Sequence, residues 1–99
     1  MEGAPDLIVE IISDSSVRKD TQRLSAAYWQ AGVQEYWTVD ARTDDLMFRI
    51  QHRGQSAYEP AAIDDDRFQY SRVLNCRYRL DRTRNRHGRL QYTLVEKPQ

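Results

Sequence analysis

The chain is poor in residues that would hold it together covalently or through a metal, and it has no long apolar run. Its 99 residues include one cysteine, Cys76, so an intrachain disulfide and a thiolate-rich zinc site are both excluded. No apolar stretch approaches the roughly 20 residues that a membrane-spanning helix needs. Met1 leads into Glu2, Gly3 and Ala4 rather than into a basic and then apolar leader. We therefore expect a cytoplasmic protein with no membrane partner, held together by packing alone.

The net charge indicates no class of partner, because 15 Lys and Arg residues balance 15 Asp and Glu residues. The distribution of charge is uneven. Residues 1–66 carry a net charge of −7 and residues 67–99 a net charge of +7. The length suits one domain, which we place over residues 1–99.

Apolar periodicity predicts a β-α-β-β order in the first half. Leu7 to Ile12 is an almost continuous apolar run, which favours a strand covered on both faces. Asp14 to Ser16 offers helix N-cap side chains, and helical spacing of apolar residues follows until Gly32. Two further β-rich runs, Tyr36–Val39 and Leu46–Ile50, predict a strand after the helix and then an antiparallel hairpin.

The second half predicts short antiparallel strands. Residues 57–59 continue the meander up to Pro60, and Asp64 to Asp66 reads as a solvated loop. Alternation from Cys76 onward, a turn at 85–88 and the run Leu90–Val95 predict a C-terminal β-hairpin. The fold class is therefore α/β (α+β), a β-α-β-β core followed by that hairpin.

Three acidic side chains interrupt the apolar pattern. Asp6 and Glu10 fall on one face of the first strand, and Asp20 lies on the helix stripe that should face the sheet. A bare carboxylate in such a run is costly to bury, so it calls for an ion pair, protonation or a metal. Oxygen ligands of this kind suit Mg²⁺, directly or through water. A purely structural partner for each acid is the alternative.

The basic segment is a second candidate site. Its arginines are interleaved with tyrosines, as a surface that follows nucleic-acid phosphates would require, and comprise Arg77, Arg79, Arg82, Arg84 and Arg86. The alternative is a solvated hairpin whose arginines pair with the acidic first half. His52 and His87 lack ligand spacing and read as surface residues, while Trp29 and Trp37 read as core or interface aromatics.

Several short motifs follow one another in the first part of the chain: Gly3-Ala4-Pro5-Asp6-Leu7-Ile8-Val9-Glu10-Ile11-Ile12-Ser13, Arg18-Lys19-Asp20, Tyr28, Ala31-Gly32-Val33, Glu35-Tyr36-Trp37 and Val39-Asp40. This ordered string resembles the Uma-two family, restriction-endonuclease-like proteins of the PD-(D/E)XK superfamily. The match is dense over residues 3–40 and looser near residues 71–80.

The resemblance implies a restriction-endonuclease-like core and phosphodiester hydrolysis of DNA with Mg²⁺ or Mn²⁺. It makes Asp6 and Glu10 the metal ligands and Asp6, Glu10 and Asp20 the catalytic residues. Two departures stand out. The lysine expected two residues after Glu10 or on the helix is replaced by Ile12 and Leu24. Relatives are also about twice as long, so we expect this chain to match their C-terminal part.

Three functions follow from these observations. The first is a metal-dependent endonuclease that uses the three acids. The second is a catalytically inactive remnant of the same fold, which would form a homodimer to cover its exposed sheet. The third is a nucleic-acid-binding module that uses the basic hairpin.

Overall fold

The structure is a computed structural model that describes residues 5–12 and 18–98, without the side chains of residues 18–21. Its elements in chain order are β1 (Leu7–Ile12), α1 (Arg18–Ala31), β2 (Glu35–Asp40), β3 (Met47–Arg53), β4 (Tyr58–Pro60), β5 (Gln69–Ser71), β6 (Cys76–Arg84) and β7 (Leu90–Pro98). The predicted β-α-β-β order and the C-terminal hairpin are both confirmed. This α+β arrangement is consistent with a restriction-endonuclease-like fold.

The strands form two sheets. The first has the order β1-β2-β3-β4, in which β1 runs parallel to β2 and the other pairs are antiparallel. The second is antiparallel and has the order β5-β6-β7. Within the described residues, no helix is long and apolar enough to cross a membrane.

Helix α1 connects the two parallel strands and ends where the sequence predicts. Gly32 adopts a φ of 90°, a left-handed conformation that glycine enters without steric cost. Its N–H donates to the Trp29 carbonyl and the Val33 N–H donates to the Tyr28 carbonyl, both at 3.1 Å. These bonds satisfy carbonyls of the last helical turn and direct the chain into β2.

The core lies between the two sheets. Trp37 of β2, Ile50 of β3 and Tyr78 of β6 are buried there together with Ala61. The Trp37 ring centroid lies 5.2 Å from that of Tyr78, so the two sheets meet through aromatic contact. We call this side of the first sheet its core face and the opposite side, against which α1 packs, its helix face.

A buried glutamine also joins the sheets. Gln69 of β5 accepts a hydrogen bond from the Ile50 N–H through Oε1 and donates through Nε2 to the Phe48 carbonyl, each at 2.7 Å. One side chain thus serves both a backbone donor and a backbone acceptor of β3, whose burial would otherwise cost free energy. No strand was predicted at the position of β5.

The prediction that the first strand is covered on both faces is wrong. Val9 is 50% exposed and Ile11 is 68% exposed, on the core face of β1. Among the described strands, β1 lies at the edge of its sheet and pairs only with β2. The homodimer predicted to cover such a surface stays a prediction.

The interpretation of His52 as a surface residue in a turn is also wrong. His52 lies within β3 and is 7% exposed, on the core face beside Glu35. His87, in contrast, is exposed in the hairpin turn, as predicted. A single polar histidine in an alternating run gives no sign of which face it occupies until the register is known.

Candidate active site

The helix face of the first sheet carries the candidate site. Strand pairing places Glu10 beside Thr38 and Thr38 beside Arg49, so one row crosses β1, β2 and β3. A groove of about 670 Å³ opens over this face between the sheet and α1. Its polar lining includes Gln22, Gln30, Thr38, Asp40, Arg49 and Gln51. Glu10 does not line the groove itself but stands next to Thr38, which does.

Glu10 is half-buried, and its partner is a tyrosine of the helix. The Tyr28 hydroxyl donates to Glu10 Oε1 at 3.1 Å. No other hydrogen bond or ion pair to Glu10 occurs within the described part of the chain. The carboxylate is therefore oriented through one oxygen, while the second oxygen is available to a ligand.

Asp6 lies in a bend just before β1, and Glu10 lies within the strand. Asp6 is exposed and directly precedes β1, and its carbonyl accepts the Glu35 N–H at 3.1 Å. The roles of Asp6 and Glu10 as metal ligands and catalytic residues stay predictions. Within the described residues no group of three or more His, Cys, Asp or Glu side chains could hold a metal ion.

The remaining acid lies at the start of the helix. The backbone of Asp20 belongs to the first turn of α1, and its side chain lies outside the described residues. Its role as a catalytic residue stays a prediction. Of the positions where a lysine was expected, Ile12 lines the groove and Leu24 is half-buried on α1.

Three tyrosine rings pack in a row, and Tyr28 at one end of the row is the partner of Glu10. Tyr36 of β2 lies between Tyr28 and Tyr58, with ring centroids 5.5 and 5.3 Å away. Burial, and then the negative charge of Glu10, raise the pKa of Tyr36 to about 12. Burial also raises the pKa of Tyr28, assisted by its hydrogen bond to Glu10. Both hydroxyls are therefore protonated at neutral pH and able to donate.

Two charged residues that line the groove form an ion pair with each other. Arg42 donates from Nε and Nη2 to the two oxygens of Asp40, each at 2.9 Å. This two-pronged contact lowers the pKa of the Asp40 carboxyl to about 2. Asp40 and Arg42 thus largely neutralise each other.

The basic hairpin arginines are divided between the two faces of β6. Arg77 and Arg79 share one face and pair with Asp64 and Asp81. Arg82 and Arg84 share the other and donate to backbone carbonyls, Arg82 to Thr43 and Asp44 and Arg84 to Gly88. Arg86 lies in the turn. The nucleic-acid role of these five arginines stays a prediction.

Sequence reasoning missed a buried carboxylate on the core face. Glu35 is 0% exposed. Its oxygens accept from Trp37 Nε1 at 2.7 Å, from the Ser71 hydroxyl at 2.5 Å, and from the Arg72 and Val73 N–H groups at 2.8 and 3.2 Å. The position of an acid at the start of the run Tyr-Trp-Thr-Val was the available signal. We name this set of contacts the Glu35 cluster; it anchors the turn after β5 to β2.

His52 gives the Glu35 cluster a pH dependence. Its Nδ1 lies 3.4 Å from Glu35 Oε1 without hydrogen-bond geometry. Burial, and then the positive charge of Arg72, lower the pKa of His52 below its usual 6.5, against an opposing effect of Glu35. The folded protein thus binds fewer protons at this site than the unfolded chain between the lowered pKa and 6.5.

We therefore expect the free energy of unfolding to fall as the pH drops below 6.5 towards the folded-state pKa of His52. Urea unfolding of the wild type and of His52→Gln, compared above and below pH 6.5, measures this effect. The variant should lose much of the pH dependence. An equal dependence in both proteins would show that His52 does not cause it.

Comparison with known proteins agrees with the resemblance noted in the sequence. A family model, Uma2, described as "Putative restriction endonuclease", matches residues 1–94. No curated protein and no solved structure gives a significant match. The matched segment contains β1, α1, β2 and the Glu10–Thr38–Arg49 row. The chain belongs to the Uma2 family.

Proposed function

We propose that the protein is an endonuclease that hydrolyses DNA phosphodiester bonds with Mg²⁺ or Mn²⁺, and that Glu10 is its central carboxylate. The observation that carries this proposal is the environment of the Glu10 side chain. It is half-buried beside a polar groove, oriented by Tyr28 through one oxygen, and free of a cationic partner within the described residues. A carboxylate held in this way is suited to a ligand rather than to a structural ion pair.

The residues present fit a magnesium-like ion better than a zinc-like one. Such an ion keeps several waters and binds through one or two protein carboxylates plus substrate phosphates. Glu10 would hold it directly, with Asp6 acting through water and Asp20 as the further acid. When bound, the ion would polarise a phosphate and lower the pKa of an attacking water.

The chain's own residues perform the remaining tasks. Tyr28 fixes the orientation of Glu10, since its hydroxyl has a raised pKa and stays protonated. Thr38 and Gln51 offer hydrogen-bonding groups on the floor of the groove, and Gln22 and Gln30 do so from the helix. A nucleic-acid backbone is the kind of ligand that such uncharged polar side chains position without reading its sequence.

The contacts of the basic hairpin favour the groove as the catalytic and phosphate-binding site. The side chains of Arg77, Arg79, Arg82 and Arg84 are engaged in contacts within the protein. An arginine that already donates to a carbonyl or carboxylate must give up that bond to contact a phosphate. A contribution of the hairpin to DNA affinity is a secondary proposal, and we expect it to be smaller.

Removing the Tyr28 hydroxyl should weaken metal binding. Tyr28→Phe keeps the ring contact with Tyr36 but leaves Glu10 Oε1 without its donor. Loss of a partner that orients a metal ligand costs about 10- to 100-fold in affinity or activity. Calorimetric titration with Mn²⁺ gives the dissociation constant. Tyr78→Phe is the matched control, because the Tyr78 hydroxyl donates to Glu96 in the other sheet; an equal loss in both variants would contradict the assignment.

Calorimetric titration of the purified chain with Mn²⁺ also tests the proposed function itself. We expect binding by the wild type, weaker binding by Asp6→Ala and none by Glu10→Gln. Binding that persists unchanged in Glu10→Gln would place the ion elsewhere. A wild type that binds no Mn²⁺ would support the inactive remnant instead.

A further inference from the structure

Arg49 is an exposed cation of the groove with no partner in the described part of the chain. It projects from the helix face of β3 and lines the groove. No hydrogen bond or ion pair to its guanidinium occurs among the described residues. The other arginine of the groove, Arg42, is held by both oxygens of Asp40. Arg49 therefore carries a positive charge that no described residue neutralises.

Arg49 and Glu10 stand at opposite ends of one row. Thr38 separates them, pairing with Glu10 on one side and with Arg49 on the other. Two strand spacings amount to about 10 Å between the backbones. The two side chains make no ion pair with each other. The row therefore leaves space above Thr38 for an anionic group. A metal ion held by Glu10 would contact this group on one side, and Arg49 would contact it on the other.

A buried hydroxyl points independently to a ligand at the same place. Tyr36 is 1% exposed and lines the groove, and its hydroxyl has no hydrogen-bond partner in the described structure. Its cross-strand neighbours are Ile8 and Gln51, so it stands one row from Arg49. An unsatisfied buried donor that lines the same groove as an unpartnered guanidinium suits an anionic oxygen acceptor.

We propose that Arg49 contacts the phosphate group that is cleaved and supplies the positive charge that a lysine at Ile12 or Leu24 would otherwise provide. This inference rests on the proposed function. In the reaction, a water oxygen forms a bond to phosphorus, one P–O ester bond breaks, and the proton lost by water ends on the departing oxygen. Arg49 exchanges no proton, because its guanidinium stays charged, and stabilises the negative charge on the non-bridging oxygens.

Two measurements on Arg49→Gln test this role. The first is single-turnover cleavage of plasmid DNA with Mn²⁺, in which we expect the rate to fall about 10²- to 10³-fold. The second needs no metal: the affinity for a short fluorescent DNA duplex is measured in EDTA at several salt concentrations. Loss of one phosphate contact should lower the slope of log K against log salt by about one.

Matched variants separate this inference from a general effect of charge. Arg67→Gln removes an equally charged side chain that is 76% exposed and only weakly paired to Asp81 at 3.8 Å, so it should leave both readouts unchanged. Arg49→Lys should restore part of the cleavage rate, since it keeps the charge but loses the two-pronged geometry.

The possible failures are distinguishable. If cleavage requires Glu10 but Arg49→Gln matches the wild type in rate and salt slope, the inference about Arg49 is overturned and the proposed function stands. If Arg49→Gln and Arg67→Gln lose activity equally, the assignment of Arg49 is overturned as well. If the wild type shows no cleavage that depends on Glu10, the proposed function fails and this inference fails with it.

Discussion

Glu10→Gln should lower the rate of metal-dependent DNA cleavage by on the order of a thousandfold or more. Glutamine preserves the shape of the side chain, and its amide oxygen can still accept the Tyr28 hydroxyl. It lacks the negative charge that holds a divalent ion. Metal-ion catalysis contributes several kcal/mol to transition-state stabilisation, and each 1.4 kcal/mol corresponds to about tenfold in rate.

The measurement is single-turnover cleavage of supercoiled plasmid DNA with Mn²⁺ at a series of enzyme concentrations. Glu59→Gln is the matched control, because Glu59 is exposed on the opposite face of the same sheet, paired across with His52. It should cleave at the wild-type rate. Equal activity of Glu10→Gln and the wild type would rule out Glu10 as the central carboxylate.

Glu35→Ala should lower the free energy of unfolding by about 3–5 kcal/mol, the cost of removing one partner from a buried charged cluster. Four donors converge on this fully buried carboxylate, namely Trp37 Nε1, the Ser71 hydroxyl and the N–H groups of Arg72 and Val73. Without it, the buried Trp37 and Ser71 donors lose their acceptor inside the core, and the part-buried N–H groups of Arg72 and Val73 lose theirs. A loss this large matters, because small domains have a total stability of only about 5–15 kcal/mol.

Urea unfolding followed by tryptophan fluorescence measures the change, with Trp37 inside the cluster as the reporter. Ser71→Ala removes one donor and leaves the carboxylate in place, so it should cost less, about 1–2 kcal/mol. An Ala variant of Glu35 that fails to fold meets the expectation. A variant as stable as the wild type would show that the cluster does not hold the turn after β5 in place.

Helix α1 and the main strands could be predicted because particular residue types, such as proline, glycine and runs of apolar residues, mark where they begin and end. The first strand starts after Pro5 and its apolar run ends at Ile12, and α1 ends before Gly32, which takes the left-handed conformation. The strand β5 was missed because Gln-Tyr-Ser is three residues long and polar. It forms by pairing with β6, and the side chain of Gln69 then holds it against the distant backbone of β3.

Burial was less predictable than the order of elements. The apolar run of β1 resembles a central strand, yet Val9 and Ile11 are exposed, since composition does not say how many neighbours a strand has. His52 and Glu35 face each other in the core because the antiparallel register of β2 and β3 places them opposite. That register depends on the length of the loop between the strands.

The candidate site was predictable in part. Glu10 stood out because an acid in an apolar strand needs a partner. That its partner is Tyr28 could not be predicted, because the sequence does not show which side of α1 faces the sheet at this point. Arg49 gave no signal of its own. It became a candidate only when cross-strand pairing placed it in the row of Glu10 and Thr38. The roles predicted for Asp6 and Asp20 stay predictions.

The most direct test is anomalous diffraction from crystals of the protein soaked with Mn²⁺. The account predicts an anomalous peak in contact with the Glu10 carboxylate, on the Thr38 side facing Arg49, and no such peak in Glu10→Gln crystals. Manganese bound elsewhere, or no peak at Glu10 at a saturating Mn²⁺ concentration, would contradict it.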